Sequence, residues 1–165
     1  MTWVGMGCPM SGDGRPTVAP IVSDAHMAIV AASWHSTVME GLIAGAQRVC
    51  ASAGATSELI AVPGSFELPL ACQAAAGTGR FQALIALGVV VRGGTPHFEY
   101  VCAAATEGLV RVSLDAGIPI GFGLLTCDTV EQALDRAGVP GSREDKGAEA
   151  AHAALAMVEA LRALG

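Results

Sequence analysis

The chain has 165 residues, 52% of them hydrophobic and 15% charged, with a net charge of −6. This length supports one domain whose core needs no disulfides, and the composition excludes a disordered chain. The negative balance and the absence of a basic patch argue against a nucleic-acid partner, and so low a charged fraction implies that other subunits cover part of the surface.

Residues 1–24 carry turn formers without a period (Gly5, Gly7, Pro9, Gly12, Gly14, Pro16, Pro20) and read as a flexible N-terminal arm. They lack the basic start and unbroken apolar stretch of a signal peptide. Residues 25–165 read as the domain. Ala28 to Ala32 is a first strand, and Trp34 to Ala53 is a helix, with Val38, Leu42, Ala46 and Val49 on one face. Leu59 to Val62 is a second strand, stopped by Pro63-Gly64, and Glu67 to Ala76 a short helix that tolerates Pro69 in its first turn. Ala83 to Val91 is apolar at nearly every position, as in a central parallel strand buried on both faces. The most apolar run, Phe81 to Val91, is half the length a bilayer needs, so no membrane partner is expected.

Gly93-Gly94 breaks that strand. Thr95 as N-cap and Pro96 at the first helical position open a helix to about Ala116. Ile118 to Leu125 is the fourth strand, Asp128 caps a short helix ending near Gly138, and Ser142 with Asp145 suggests a capping box for a last helix to about Ala163. Four alternations of strand and helix predict a three-layer αβα sandwich on a four-stranded parallel sheet, flavodoxin-like in class. The five cysteines (Cys8, Cys50, Cys72, Cys102, Cys127) form no C-x-x-C pair. They read as reduced thiols of a cytoplasmic protein, with no metal site expected.

In such sheets ligands bind at the carboxyl ends of the strands. Trp34, after the first strand, can offer a flat face to a heteroaromatic ring, though cores and interfaces use the same residue. After the second strand, Ser65-Phe66-Glu67 opens a helix whose backbone N–H groups can meet a ligand. There Glu67 could accept hydrogen bonds from a polyol, or serve merely as an acidic residue at a helix start. The third strand end is richest. Gly93 and Gly94 allow an anion to approach a helix N-terminus, and His97 falls in the first turn, where the helix dipole favours the neutral ring that can take a proton. No nucleotide fingerprint is present, so the anion belongs to a small substrate. Phe122 follows on a glycine-flanked strand, Arg136 ends the next helix, and Lys146, the single lysine, lies in the first turn of the last helix, against the dipole.

The segments VPGSFELP (62–69), ALIALGVVVRGGTPHFEYV (83–101), GIPIGFGLLTCDTVEQALDRAG (117–138) and DKGAEAA (145–151) resemble the 6,7-dimethyl-8-ribityllumazine synthase family of riboflavin biosynthesis. The resemblance runs nearly unbroken from about Ala28 to Leu161. It implies condensation of 5-amino-6-(ribitylamino)uracil with 3,4-dihydroxy-2-butanone 4-phosphate, with no cofactor, in a homopentamer whose sites lie at subunit interfaces. It also implies roles. Trp34 stacks on the pyrimidinedione. Ser65, Phe66 and Glu67, with backbone groups of Val89, Val90 and Val91, hold the ring edge and ribityl chain. Gly94, Thr95 and Arg136 bind phosphate, His97 transfers protons, and Phe122 and Lys146 contact the ligand, Phe122 from the neighbouring subunit. Ser65 and Gly94 stand where the family more often has other residues, and neither removes a group the reaction needs. Pentamers of this family can close into sixty-subunit shells. Shell-forming relatives have a shorter turn before the last helix than residues 139–145 here, which implies a free pentamer. Without the resemblance, a flavin or lumazine carrier, or a flavodoxin-like regulatory domain, would also fit the pattern.

Overall fold

The computed structural model describes residues 21–165. The predicted arm, apart from its last four residues, lies outside the described residues. Of those four, Ser23 is tied down: its N–H donates to Ala53 O at 2.8 Å and its Oγ to Glu159 Oε1 at 3.1 Å.

Four strands, β1 (His26–Ala32), β2 (Thr56–Val62), β3 (Ala83–Val91) and β4 (Ile120–Cys127), form a parallel sheet in the order β2-β1-β3-β4. Between them run α1 (Ser36–Ala53), α2 (Leu68–Gly77) and α3 (His97–Ala116), and after β4 come the short α4 (Val130–Leu134) and α5 (Lys146–Leu164). Strand period decides which layer each residue joins. In β1, Met27, Ile29 and Ala31 pack with α1 and α5, while Ala28, Val30 and Ala32 pack with α2 and α3. In β3, Ile85, Leu87 and Val89 join the first layer, and Leu84 and Ala86 the second. Each of the larger buried side chains contributes about 1.5–3 kcal/mol relative to exposure. The α1–α5 contact is close enough to require glycine: a Cβ on Gly147 would stand 2.0 Å from Leu42 O.

The fold class is as predicted, with differences at element ends. β4 begins and ends two residues later than expected. Pro119 has no N–H to give a ladder and serves instead as acceptor for Leu84 N at 2.9 Å. α3 starts at His97 with Pro96, not Thr95, at the cap position. Thr129, not Asp128, caps α4 by accepting from Gln132 N at 3.3 Å, because the Asp128 carboxylate is held by Arg92. The expected Ser142 capping box does not form. Asp145 caps α5 from Ala148 N at 2.8 Å, and Ser142 Oγ donates back to Leu134 O at the end of α4. Glu67 belongs to a 3-10 turn, Ser65–Glu67, that precedes α2.

Candidate active site

β3 outruns β1. The β1 register ends with Ala31 opposite Leu87, while β3 continues to Val91, paired there with Cys127 of β4. The last residues of β3 therefore present one backbone edge past the end of β1. A groove of about 670 Å³ opens at this place, at the carboxyl ends of β1, β2 and β3. It is lined by Trp34, His35, Gly64, Ser65, Phe66, Glu67, Val89, Val90, Val91, His97, Tyr100 and Val101.

Eight of the residues singled out from the sequence meet here: Trp34, Ser65, Phe66, Glu67, Val89, Val90, Val91 and His97. The aromatic walls are open, with Trp34 68% and Phe66 61% exposed, so a planar ligand could cover them. Gly64 makes the floor between two of them. A Cβ at that position would lie 3.1 Å from Glu67 Oε2 and 3.5 Å from Trp34 Nε1, which places the carboxylate and the indole N–H side by side over bare backbone. Ser65 is buried, and its hydroxyl donates to Val89 O at 3.4 Å, tying the 3-10 turn to β3. His97 is the first residue of α3 and is exposed.

Gly94 and Thr95 lie on the exposed turn between Val91 and His97, beside the groove and outside its lining. Phe122, Arg136 and Lys146 do not line it either. Phe122 pairs with Ala86, five residues short of Cys127. At about 3.3 Å per residue that is roughly 16 Å from the strand end, beyond the reach of a phenyl ring. Phe122 is 48% exposed on the sheet's α2/α3 side. Arg136 and Lys146 form a second basic group near the end of β4. Lys146 N donates to Arg136 O at 2.9 Å, and Arg136 Nη1 to Gln132 O at 2.9 Å. Lys146 Nζ pairs with Glu144 at 2.7 Å and Glu149 at 2.8 Å. Partial burial would lower its pKa, and these two carboxylates outweigh that and hold it above its ordinary value. They also answer why a lysine sits at a helix start.

Four lining residues were not expected from the sequence. Tyr100 and Val101 follow His97 by three and four positions, the spacing of one helical face, and that period was the available signal. Gly64 was read as a strand stop. His35 adopts φ 60°, ψ 64°, the single non-glycine residue with positive φ among the described residues. A left-handed histidine costs roughly 1–2 kcal/mol, and although histidine is enriched in this region it adopts it too rarely for the residue type to announce it.

An open parallel sheet with an aromatic-walled groove at its strand ends, holding the Glu67 carboxylate and the imidazoles of His35 and His97, is the site of a small-molecule enzyme of the α/β class. The profile of the family described as 6,7-dimethyl-8-ribityllumazine synthase matches residues 24–162. The 6,7-dimethyl-8-ribityllumazine synthase of Leifsonia xyli subsp. xyli is 59% identical over 157 residues, covering 94% of this chain and 99% of its own. Those of a Nocardioides species and of Kocuria rhizophila are 58% and 61% identical over 158 and 150 residues, covering 94% and 88% of this chain. The chain belongs to the 6,7-dimethyl-8-ribityllumazine synthase family, transferases of riboflavin biosynthesis.

Proposed function

We propose that the chain joins 5-amino-6-(ribitylamino)uracil to 3,4-dihydroxy-2-butanone 4-phosphate, forming 6,7-dimethyl-8-ribityllumazine with release of phosphate and two waters. The observation that carries this reading is the meeting of Trp34, Glu67, the end of β3 at Val89–Val91 and His97 around one groove. The indole of Trp34 takes the face of the pyrimidinedione. The carboxylate of Glu67 accepts from ribityl hydroxyls, and the backbone of Val89–Val91 meets the ring edge. The phosphate rests on the Gly94-Thr95 turn at the start of α3.

The steps follow from the substrates. The 5-amino group adds to the ketone and water leaves, giving an imine. A proton is taken from the neighbouring carbon and phosphate departs by β-elimination. The resulting enol tautomerises to a ketone, the ribityl-bearing amine adds to it, and the second water leaves as the ring closes. Each step moves a proton, and His97 is the titratable group at the phosphate end of the groove. A positioned histidine typically adds about 10²–10⁴-fold. Orientation of two reactive partners supplies the larger share, up to roughly 7–11 kcal/mol.

The separation of Phe122, Arg136 and Lys146 from their own chain's groove supports a site completed by a second copy. In this reading a homopentamer sets the β4 side of one subunit against the groove of the next. Phe122 then closes the aromatic slot, Arg136 faces the phosphate, and Lys146, already held by Glu144 and Glu149, contacts the ligand beside it.

The test is appearance of lumazine absorbance on mixing both substrates with the protein. Turnover is expected with both and with neither alone, and His97→Ala should retain a slow rate, lowered by about one to three orders of magnitude. No product from the two substrates would overturn the proposal.

A further inference from the structure

Arg92 is the residue just past the groove-lining Val91, and the sequence reading gave it no role. Its guanidinium is committed in three directions. Nε donates to Asp128 Oδ1 at 2.7 Å, at the exit of β4. Nη1 pairs with Glu99 in the first turn of α3. The guanidinium carbon stands 4.1 Å from the centre of the Phe98 ring, also in that turn. Its backbone N–H donates to Cys127 O at 2.9 Å. Hydrogen bonding to Asp128 and then Glu99 holds Arg92 above its ordinary pKa, and the bond from Arg92 holds Glu99 below its own.

These contacts bracket the proposed phosphate turn and His97. The chain leaves β3 at Val91, crosses the exposed residues 93–96, and enters α3 at His97. Among the described residues, none of the side-chain hydrogen bonds or ion pairs found involves residues 93–97. Arg92 grips Phe98 and Glu99, immediately after His97, and anchors them to the two strand ends. With two carboxylates already on it, Arg92 is a neutralised brace and a poor phosphate ligand.

We infer that Arg92 is a positioning residue, which fixes the first turn of α3 and through it the His97 imidazole. A planar fork stacked on a ring can do this, whereas lysine, a point charge on a flexible stem, cannot hold three contacts at once. The inference deepens the function proposed above and rests on it for its kinetic part. The structural part stands independently.

The test takes wild type, Arg92→Ala, His97→Ala and the double variant, assayed with both substrates, together with amide exchange over residues 93–101. Arg92→Ala should lower kcat about tenfold, with the KM for the pyrimidine within about twofold, because the Trp34 and Glu67 walls are untouched. In the His97→Ala background the same change should cost less than about twofold, since there is no imidazole left to misplace. Exchange at Tyr100 and Val101, the first amides of α3 that bond back into its opening turn, should rise about tenfold. Glu99→Gln removes one arm of the brace and should give a smaller effect of the same kind, which keeps the test open if Arg92→Ala fails to fold. Equal losses in both backgrounds, or unchanged exchange, would overturn the inference. If the wild type turns over neither substrate, the proposed function fails, and the exchange measurement still decides whether Arg92 braces the turn.

Discussion

A site shared between two copies makes a prediction that a site contained in one chain cannot. Take His97→Ala, which damages the groove, and Arg136→Ala, which damages the basic group near β4. Each variant alone leaves every site with one defective half. Reassembled from an equal mixture of dissociated subunits, a site is intact when its groove comes from an Arg136→Ala chain and its basic group from a His97→Ala chain. Random neighbours in a closed ring satisfy both conditions at about one site in four. The expected result is recovery of about a quarter of wild-type turnover per subunit, well above the residual rate of either variant alone. The structural basis is the roughly 16 Å between Phe122 and the strand end, with Arg136 and Lys146 also absent from the groove lining. The assay is lumazine absorbance, with subunit exchange verified by mass on differently tagged chains. Mixed assemblies no more active than the average of their parents would show that each chain completes its own site.

Two further perturbations bear on the groove and on the surface pairs. Gly64 has φ −151°, which alanine adopts without strain, so Gly64→Ala tests the floor by sterics alone. Its methyl would crowd Glu67 Oε2 at 3.1 Å and touch Trp34 Nε1 at an ordinary 3.5 Å, so it displaces the carboxylate, and the KM for the pyrimidine should rise about tenfold with the melting temperature little changed, an effect of roughly 1.4 kcal/mol; an unchanged KM would separate the Glu67 carboxylate from pyrimidine binding. Glu99 and Asp135 are held below their ordinary values of 4.5 and 3.8, first by hydrogen bonds from Arg92 and Arg143 respectively. Depressed carboxylates stabilise the fold fully above the ordinary value and lose that contribution as pH falls through the folded one. Thermal stability should therefore fall below about pH 4.5, and Asp135→Asn should flatten part of that decline in a melting series from pH 7 to 3.

The sequence made the layers and half the site legible because those features rest on local chemistry. A run apolar at nearly every position, such as Ala83–Val91, suits a central parallel strand, and β3 has those same bounds. The groove residues were legible because strand ends are where such sheets bind ligands, and Trp34, Glu67 and His97 each lie in or at the end of the connection that follows a strand. What failed to show was non-local. Which oxygen caps α4 depends on Asp128 being drawn away by Arg92, a residue just past the end of β3 and 36 positions away in the chain. Ser142 was a plausible cap by spacing, yet its hydroxyl satisfies a carbonyl at the end of α4. The left-handed backbone of His35 was equally hidden, since that conformation is imposed by the surrounding fold rather than favoured by the residue.

The segment between α4 and α5 carries the last prediction, which concerns how far assembly proceeds. Residues 135–146 are folded back on themselves. Arg143 N and Glu144 N both donate to Asp135 O at 3.0 Å, Gly138 N donates to Glu144 O at 3.0 Å, and Arg143 pairs with the Asp135 carboxylate. Gly138 and Gly141 take φ of 71° and 95°, which lets the chain reverse twice around Pro140. A turn pinned at this many points keeps one shape, and it is longer than the turn the resemblance associates with shells. Closing sixty copies into a shell requires each contact between pentamers to hit one angle, and a rigid projection that misses it leaves no route to closure. Charge adds to the obstacle, since −6 per chain summed over a shell is a large repulsion that salt screens only beyond about 8 Å. The expected particle is a free pentamer of about 83 kDa from chains of 16.6 kDa, with pairs of pentamers meeting at high concentration. Light scattering at neutral pH measures this directly. A particle near a megadalton would show that the turn accommodates the shell contact and that its rigidity does not limit assembly.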